Sequence, residues 1–152
     1  MRGKTEKQAQ RRANMAVLAR APGERLKVLW DSAGLEAEHQ IVRGPETGLV
    51  TVRGRIGGGG SPFNVGEVTV TRSTVKLAGG AVGHSYALGR DKEKSRIAAL
   101  FDALWQDVNL QTKLAANIIE PLARELSARD AQTKERTAAT RVDFFTMVRG
   151  ED

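Results

Sequence analysis

The hydrophobic period of this chain changes twice, and no other feature constrains its fold as strongly. Apolar residues recur at helical spacing near both ends, whereas between Leu49 and Leu88 they alternate with polar residues, as in a half-buried strand. A helix-period pattern does not settle into a sheet, nor the reverse. The chain is therefore expected to pack helices from both ends against a central sheet.

The helical part begins with Ala13, Met15, Ala16, Val17 and Leu18, which predict a helix from about Gln10 to Arg20, with residues 1–8 polar and frayed. Pro22-Gly23 interrupts it, with Pro22 at the first position of a new helix. Leu26, Leu29, Trp30 and Ala33 then fall on one face, with Gly34 as C-cap. Beyond Asp91, a suitable N-cap, the residues Ile97, Leu100, Phe101, Leu104, Trp105 and Val108 repeat at i, i+3, i+4, i+7. Leu110, Leu114, Ile118, Leu122 and Leu126 predict a further helix that Pro121 must kink or restart. Residues 127–137 are weakly patterned and suit an exposed helix or a loop.

The extended part begins with a short segment at Ile41-Val42, followed by candidate strands over Leu49–Ile56, Val68–Leu77 and Val82–Leu88. Gly57–Gly60 with Ser61-Pro62, and Ala78-Gly79-Gly80, supply turns. The run Arg141–Gly150 reads as a last strand, with Val142, Phe144 and Val148 on one face and Phe145 and Met147 on the other. A strand apolar on both faces is covered on both. The expected class is α+β: an antiparallel sheet of three to five strands packed with N-terminal and C-terminal helices, in one domain over residues 1–152.

Composition removes several chemistries. The chain has no cysteine, so disulfides, thiolate metal sites and cysteine nucleophiles are excluded. Its two histidines, His39 and His84, lack metal-ligand spacing. No apolar run approaches the ~20 residues of a membrane span, and the first residues show no apolar signal segment. Of the net charge of +6, most lies in residues 1–20, where Arg2, Lys4, Lys7, Arg11, Arg12 and Arg20 face only Glu6. The body is thus no bulk nucleic-acid surface. This basic N-terminal helix or arm has a largely alanine face, poor for lipid, and is expected to dock onto a partner.

The tetraglycine Gly57–Gly60 invites comparison with phosphate loops, because glycines let backbone amides crowd an anion. Neither a Gly-Lys-Ser/Thr nor a helix follows, so Gly57, Gly58 and Gly60 read as a hairpin connection. The arginines are more suggestive. Arg53, Arg55, Arg72, Arg90, Arg141 and Arg149 lie in or beside strand segments, and their planar forks suit phosphate or carboxylate. They equally suit ion pairs with Glu46, Glu67, Asp91 and Asp143. Ser61, Ser73 and Ser85 lack a nucleophile-elbow context, His84 beside Tyr86 reads as structural or surface, and no catalytic or metal-binding set stands out.

Several segments, in order, resemble the PhnG family, the G subunits of the bacterial carbon–phosphorus lyase machinery. They are Pro45–Val50, Arg53–Gly58 with Pro62–Glu67, Thr69–Arg72, Gly83–Tyr86, Leu88–Asp91 and Thr140–Glu151. Gly59 stands where relatives often have Thr, and Ser73 where many have Cys. The resemblance implies a cytoplasmic complex with partner subunits H, I and J. That assembly joins methylphosphonate, or another alkylphosphonate, to C1′ of the ATP ribose and releases adenine. It further implies that nucleosidase chemistry belongs mainly to I. The iron–sulfur cluster and S-adenosylmethionine belong to J, and the G subunit is an accessory that binds no cofactor. In that setting one or more of Arg53, Arg55, Arg72 and Arg141 would hold anionic substrate at an interface with I. The competing expectation is a stand-alone nucleotide- or anion-binding module. A nucleic-acid binder fits the charge distribution least.

Overall fold

The computed structural model describes residues 2–140. Their elements are α1 (Arg2–Arg20), α2 (Gly23–Ala33), β1 (His39–Arg55), β2 (Pro62–Leu77), β3 (Val82–Leu88), α3 (Lys92–Leu104), α4 (Val108–Leu114) and α5 (Glu120–Ala139). The strands form an open antiparallel sheet in the order β1-β2-β3. The α+β class is as expected, with a three-stranded sheet. The closing strand expected over Arg141–Gly150 lies outside the described residues.

Local chemistry sets the boundaries. Asp91 caps α3 by accepting the Lys94 amide at 2.8 Å, and Asp107 caps α4 by accepting that of Asn109 at 2.9 Å. This second cap ends the apolar stripe of α3 early. Val108, expected on its core face, begins a new helix and is exposed. Gly34 closes α2 in the left-handed region at φ 57°. A π-turn at Ala115–Ile119 joins α4 to α5, and Pro121 sits in the first turn of α5, where its missing N–H is tolerated. Residues 127–137 are helical, and α1 begins at Arg2 rather than near Gln10.

Two strand expectations change. Ile41-Val42 and Leu49–Ile56 belong to one 17-residue strand rather than two. Gly44-Pro45 forms an irregularity within β1. As β1 lies at the sheet edge, a proline there breaks no ladder. The second change is that β2 starts at Pro62 rather than Val68. Together β1 and β2 make a long two-stranded arm closed by the Ile56–Gly58 turn.

One face of the sheet packs on α3. Val75 joins Ile97, Leu100 and Phe101 in a core cluster that also takes in Leu18 of α1, Leu26 and Trp30 of α2, and Leu114, Ile118 and Leu122. Phe101 and Trp105 stack within it at a centroid separation of 5.6 Å. The basic helix α1 thus docks on the chain's own core, through Leu18 rather than its alanines. Gly83 lets α3 approach β3. A Cβ there would collide with the Ala99 carbonyl and with Ala103. Ser85 is satisfied by the carbonyl and hydroxyl of Ser95, at 2.6 and 2.7 Å. Its cross-strand neighbour Ser73 is 2% exposed, and its hydroxyl has no partner among the described residues.

Two stability outcomes follow from these contacts. Gly83→Ala should lose about 2 kcal/mol by overpacking, read as a melting temperature several degrees lower. An unchanged Tm would show that α3 does not press on β3. Ser73→Cys should gain about 1 kcal/mol, because an orphaned hydroxyl gives way to a weakly polar thiol. Chemical denaturation reads this as a higher midpoint at constant m-value, and a lower midpoint would refute it.

Candidate anion site

The outer face of the sheet, away from α3, carries two cross-strand rows. Arg43 of β1 opposes Thr74 of β2, which opposes His84 of β3; Glu46, Arg72 and Tyr86 form the next row. The irregularity at Gly44-Pro45 allows Arg43 and Glu46 to meet on one side. Gly44 is required there, since its φ is 68° and a Cβ would stand 2.6 Å from the Arg72 carbonyl oxygen. Glu46 Oε1 accepts from Arg43 Nε at 2.7 Å and from Arg72 Nε at 2.6 Å. A single carboxylate oxygen therefore holds two guanidinium groups side by side.

Helix α1 forms the wall beside this floor. Gln8, Arg11, Arg12 and Met15 line an open cleft of about 520 Å³ together with Arg43, Arg72, Thr74, His84 and Tyr86. Arg11 is fixed by a bidentate pair with Asp102 of α3, both bonds 2.6 Å. That pair raises the Arg11 pKa further above its ordinary range. Asp102 also accepts the backbone amide of His84 at 2.8 Å. The His84 ring meets the Thr74 hydroxyl through Nδ1 at 3.2 Å. Arg12 is exposed and makes no ion pair or side-chain hydrogen bond among the described residues.

The arginines singled out in the sequence are not brought together. Arg72 lies in the cleft and is paired with Glu46, one of the acidic partners anticipated for it. Arg53 and Arg55 sit near the far end of the arm, opposite Asn64 and Pro62. Seven residues of strand separate Arg53 from Glu46, on the order of 20 Å, so Arg53 and Arg72 cannot grip one phosphate. Arg55 donates to the Gly60 carbonyl at 3.2 Å, and Arg53 has no ion pair among the described residues. Gly57 and Gly58 take φ of 57° and 80° in the hairpin turn, as a connection requires. Arg90 is exposed at the β3–α3 junction, where Asp91 serves as helix cap rather than arginine partner. Arg141 and Arg149, with Asp143, lie outside the described residues. Sequence reasoning passed over Arg11, Arg12 and Arg43. The first two belong to a generally basic segment, and Arg43 follows the short extended segment at Ile41-Val42 with no motif around it.

The arm itself is bare. Leu49, Val52, Ile56, Phe63 and Val65 are 38–68% exposed. A Cβ at Gly54 would meet Val65 and the Phe63 ring, which lie over it. No group of three or more His, Asp or Glu able to hold a metal occurs among the described residues.

Fold and cleft together define an α+β protein whose polar chemistry is concentrated in arginines suited to anionic ligands. The family model described as "Phosphonate metabolism protein PhnG" matches residues 9–150. A curated relative from Rhizobium meliloti (strain 1021) is 56% identical over 144 residues, covering 95% of this chain and 92% of that protein. It is named alpha-D-ribose 1-methylphosphonate 5-triphosphate synthase subunit PhnG. The chain belongs to the PhnG family.

The shared carboxylate gives a pH signature. Arg72 first and Arg43 second hold the Glu46 carboxyl below the usual carboxylate range. Its folded pKa lies below its unfolded one. The contribution is therefore present above the unfolded value and is lost as pH falls through the folded value, on the acid side of the ordinary carboxylate range. In a carboxyl-carbon NMR titration the Glu46 midpoint should rise in Arg72→Ala. A midpoint that stays put would remove Arg72 as its main partner.

Proposed function

We propose that this chain is the G subunit of a complex that makes alpha-D-ribose 1-methylphosphonate 5-triphosphate, as the name of its relative describes. The complex transfers the ribose 5-triphosphate moiety of ATP onto methylphosphonate and releases adenine. In this reading the partners are subunits H, I and J, and the setting is the cytoplasm. No described helix is long and apolar enough to cross a membrane. ATP is a substrate of the assembly, whereas the iron–sulfur cluster and S-adenosylmethionine reside in J. The G subunit contributes structure and anion-binding arginines rather than the bond-breaking groups.

The observation that carries this reading is the arm. A two-stranded ribbon with five apolar side chains in water is a poor end state for a free monomer and a ready interface for another chain. Arg53 and Arg55 sit at its outer end with guanidinium groups that no carboxylate neutralises among the described residues. Docking the arm would carry them, and the Gly57, Gly58 and Gly60 turn, against the partner, where they can meet its anionic substrate.

Co-expression with the H, I and J subunits should yield one co-purifying particle. Leu49→Asp combined with Phe63→Asp should leave the helical circular dichroism intact and abolish co-purification. Arg55→Ala should leave the particle whole but reduce adenine release by about ten-fold, the worth of one charge-assisted contact. Retention of the doubly charged arm in the particle would rule out the arm as the interface. Full turnover with Arg55→Ala would remove that residue from the substrate-binding proposal.

A further inference from the structure

We propose that the cleft between α1 and the outer face of the sheet is a second anion site, built for the phosphoryl or phosphonyl group of a small organic anion. It lies within this chain and does not depend on the assembly reading.

The first support is charge. Four guanidinium groups, from Arg11, Arg12, Arg43 and Arg72, line or flank the cleft, against the carboxylates of Asp102 and Glu46. Two positive charges stay unmatched, which suits a dianion better than a single carboxylate. The second support is donor supply. Arginine offers five N–H donors. Arg43 and Arg72 each spend only Nε, and both on the same oxygen of Glu46, so their terminal nitrogens are uncommitted among the described residues. Arg12 has spent none there. Glu46 holds the two floor arginines adjacent before any ligand arrives, which lowers the entropy lost on binding. Arg11 is different: its bonds to Asp102 fix α1 in place, so it positions the wall rather than serving the ligand.

The third support is size and lining. About 520 Å³ exceeds what a bare phosphate fills and lies within the range of small-molecule sites. The Tyr86 ring is half exposed beside Arg72, and Met15 stands on the opposite wall. These apolar surfaces accommodate the organic part while the forks take the tetrahedral oxygens bidentately.

Calorimetric titration of the full chain at low ionic strength tests this with three probes: inorganic phosphate, methylphosphonate and ATP. One saturable site is expected. Arg12→Gln with Arg72→Gln should weaken it at least about ten-fold, since two charge-assisted contacts are lost. Arg136→Gln, which makes the charge change of Arg12→Gln alone on the exposed face of α5, should shift it less than about two-fold, as a screened distant charge would. Arg12→Lys keeps the charge but loses the fork, and should fall between. If the double variant unfolds, Arg12→Gln alone decides, because no described contact of its side chain holds the fold; a loss of about three-fold is expected. Binding of ATP only would identify a nucleotide as the ligand source, and binding of all three probes the bare group. No saturable binding, or equal weakening by Arg136→Gln, would overturn the site. Co-purification with partner subunits is unaffected either way, so this outcome is separate from the assembly reading.

Discussion

The arrangement depends on a carboxylate that water does not reach. The Asp102 side chain is 2% exposed, and an isolated buried charge costs several kcal/mol. Its two oxygens take both bonds from Arg11 and the backbone amide of His84. One side chain of α3 thereby joins α1 to strand β3. Removing Arg11 would leave the charge with the amide alone, and such losses run at about 3–5 kcal/mol for fully buried pairs. Here the figure is smaller, because the Arg11 side chain is 42% exposed and water shares the pairing.

The C-terminal end of α1 is held by different means. Lys94 of α3 donates its ammonium to the Ala19 carbonyl at 2.7 Å, satisfying one of the last open carbonyls of α1. Burial lowers the Lys94 pKa, so this cation is retained at a cost that the carbonyl bond and the negative end of the helix offset. Arg20 reaches Asp130 of α5 on the surface, with both distances 2.8 Å. Helix α1 is therefore pinned at its middle and at its C-terminal end across β3, and Arg12 and Met15, between those points, are placed over the sheet as a consequence. The wall of the cleft is a by-product of how the core is closed.

Much of this was legible from residue order alone. The helices of α2 and α3, their Gly34 and Asp91 caps, and the antiparallel sheet follow from period and cap chemistry acting over a few residues. The continuity of β1 is not legible in the same way, because Gly44-Pro45 has the same local signature whether it ends a strand or kinks an edge strand. Only the position of β1 in the sheet decides between them, and that is a long-range fact. The cleft was hidden for a similar reason. Arg11, Arg43 and Arg72 are far apart in the chain. A bond such as Arg11–Asp102, spanning 91 residues, leaves no periodic trace.

The β1–β2 ribbon explains why the arginines fall into two groups. Its root is fixed by Val75 in the core, its middle carries the Glu46–Arg72 row, and its far end carries Arg53 and Arg55. In the middle, a carboxylate clamps the guanidinium groups and α1 walls them in. At the far end no carboxylate pairs with them among the described residues, and glycines set the turn. The middle is organised before a ligand arrives, because Glu46 has already opposed the repulsion between Arg43 and Arg72. At the far end the backbone ladder and the Arg55–Gly60 bond set the turn, but no carboxylate fixes the guanidinium groups among the described residues. A two-stranded ribbon without a third strand flexes more than a sheet, so the two cationic groups need not move as one body. Arginine content alone therefore does not define a single site: the neighbouring carboxylate and the neighbouring helix decide which forks are held side by side and which are not.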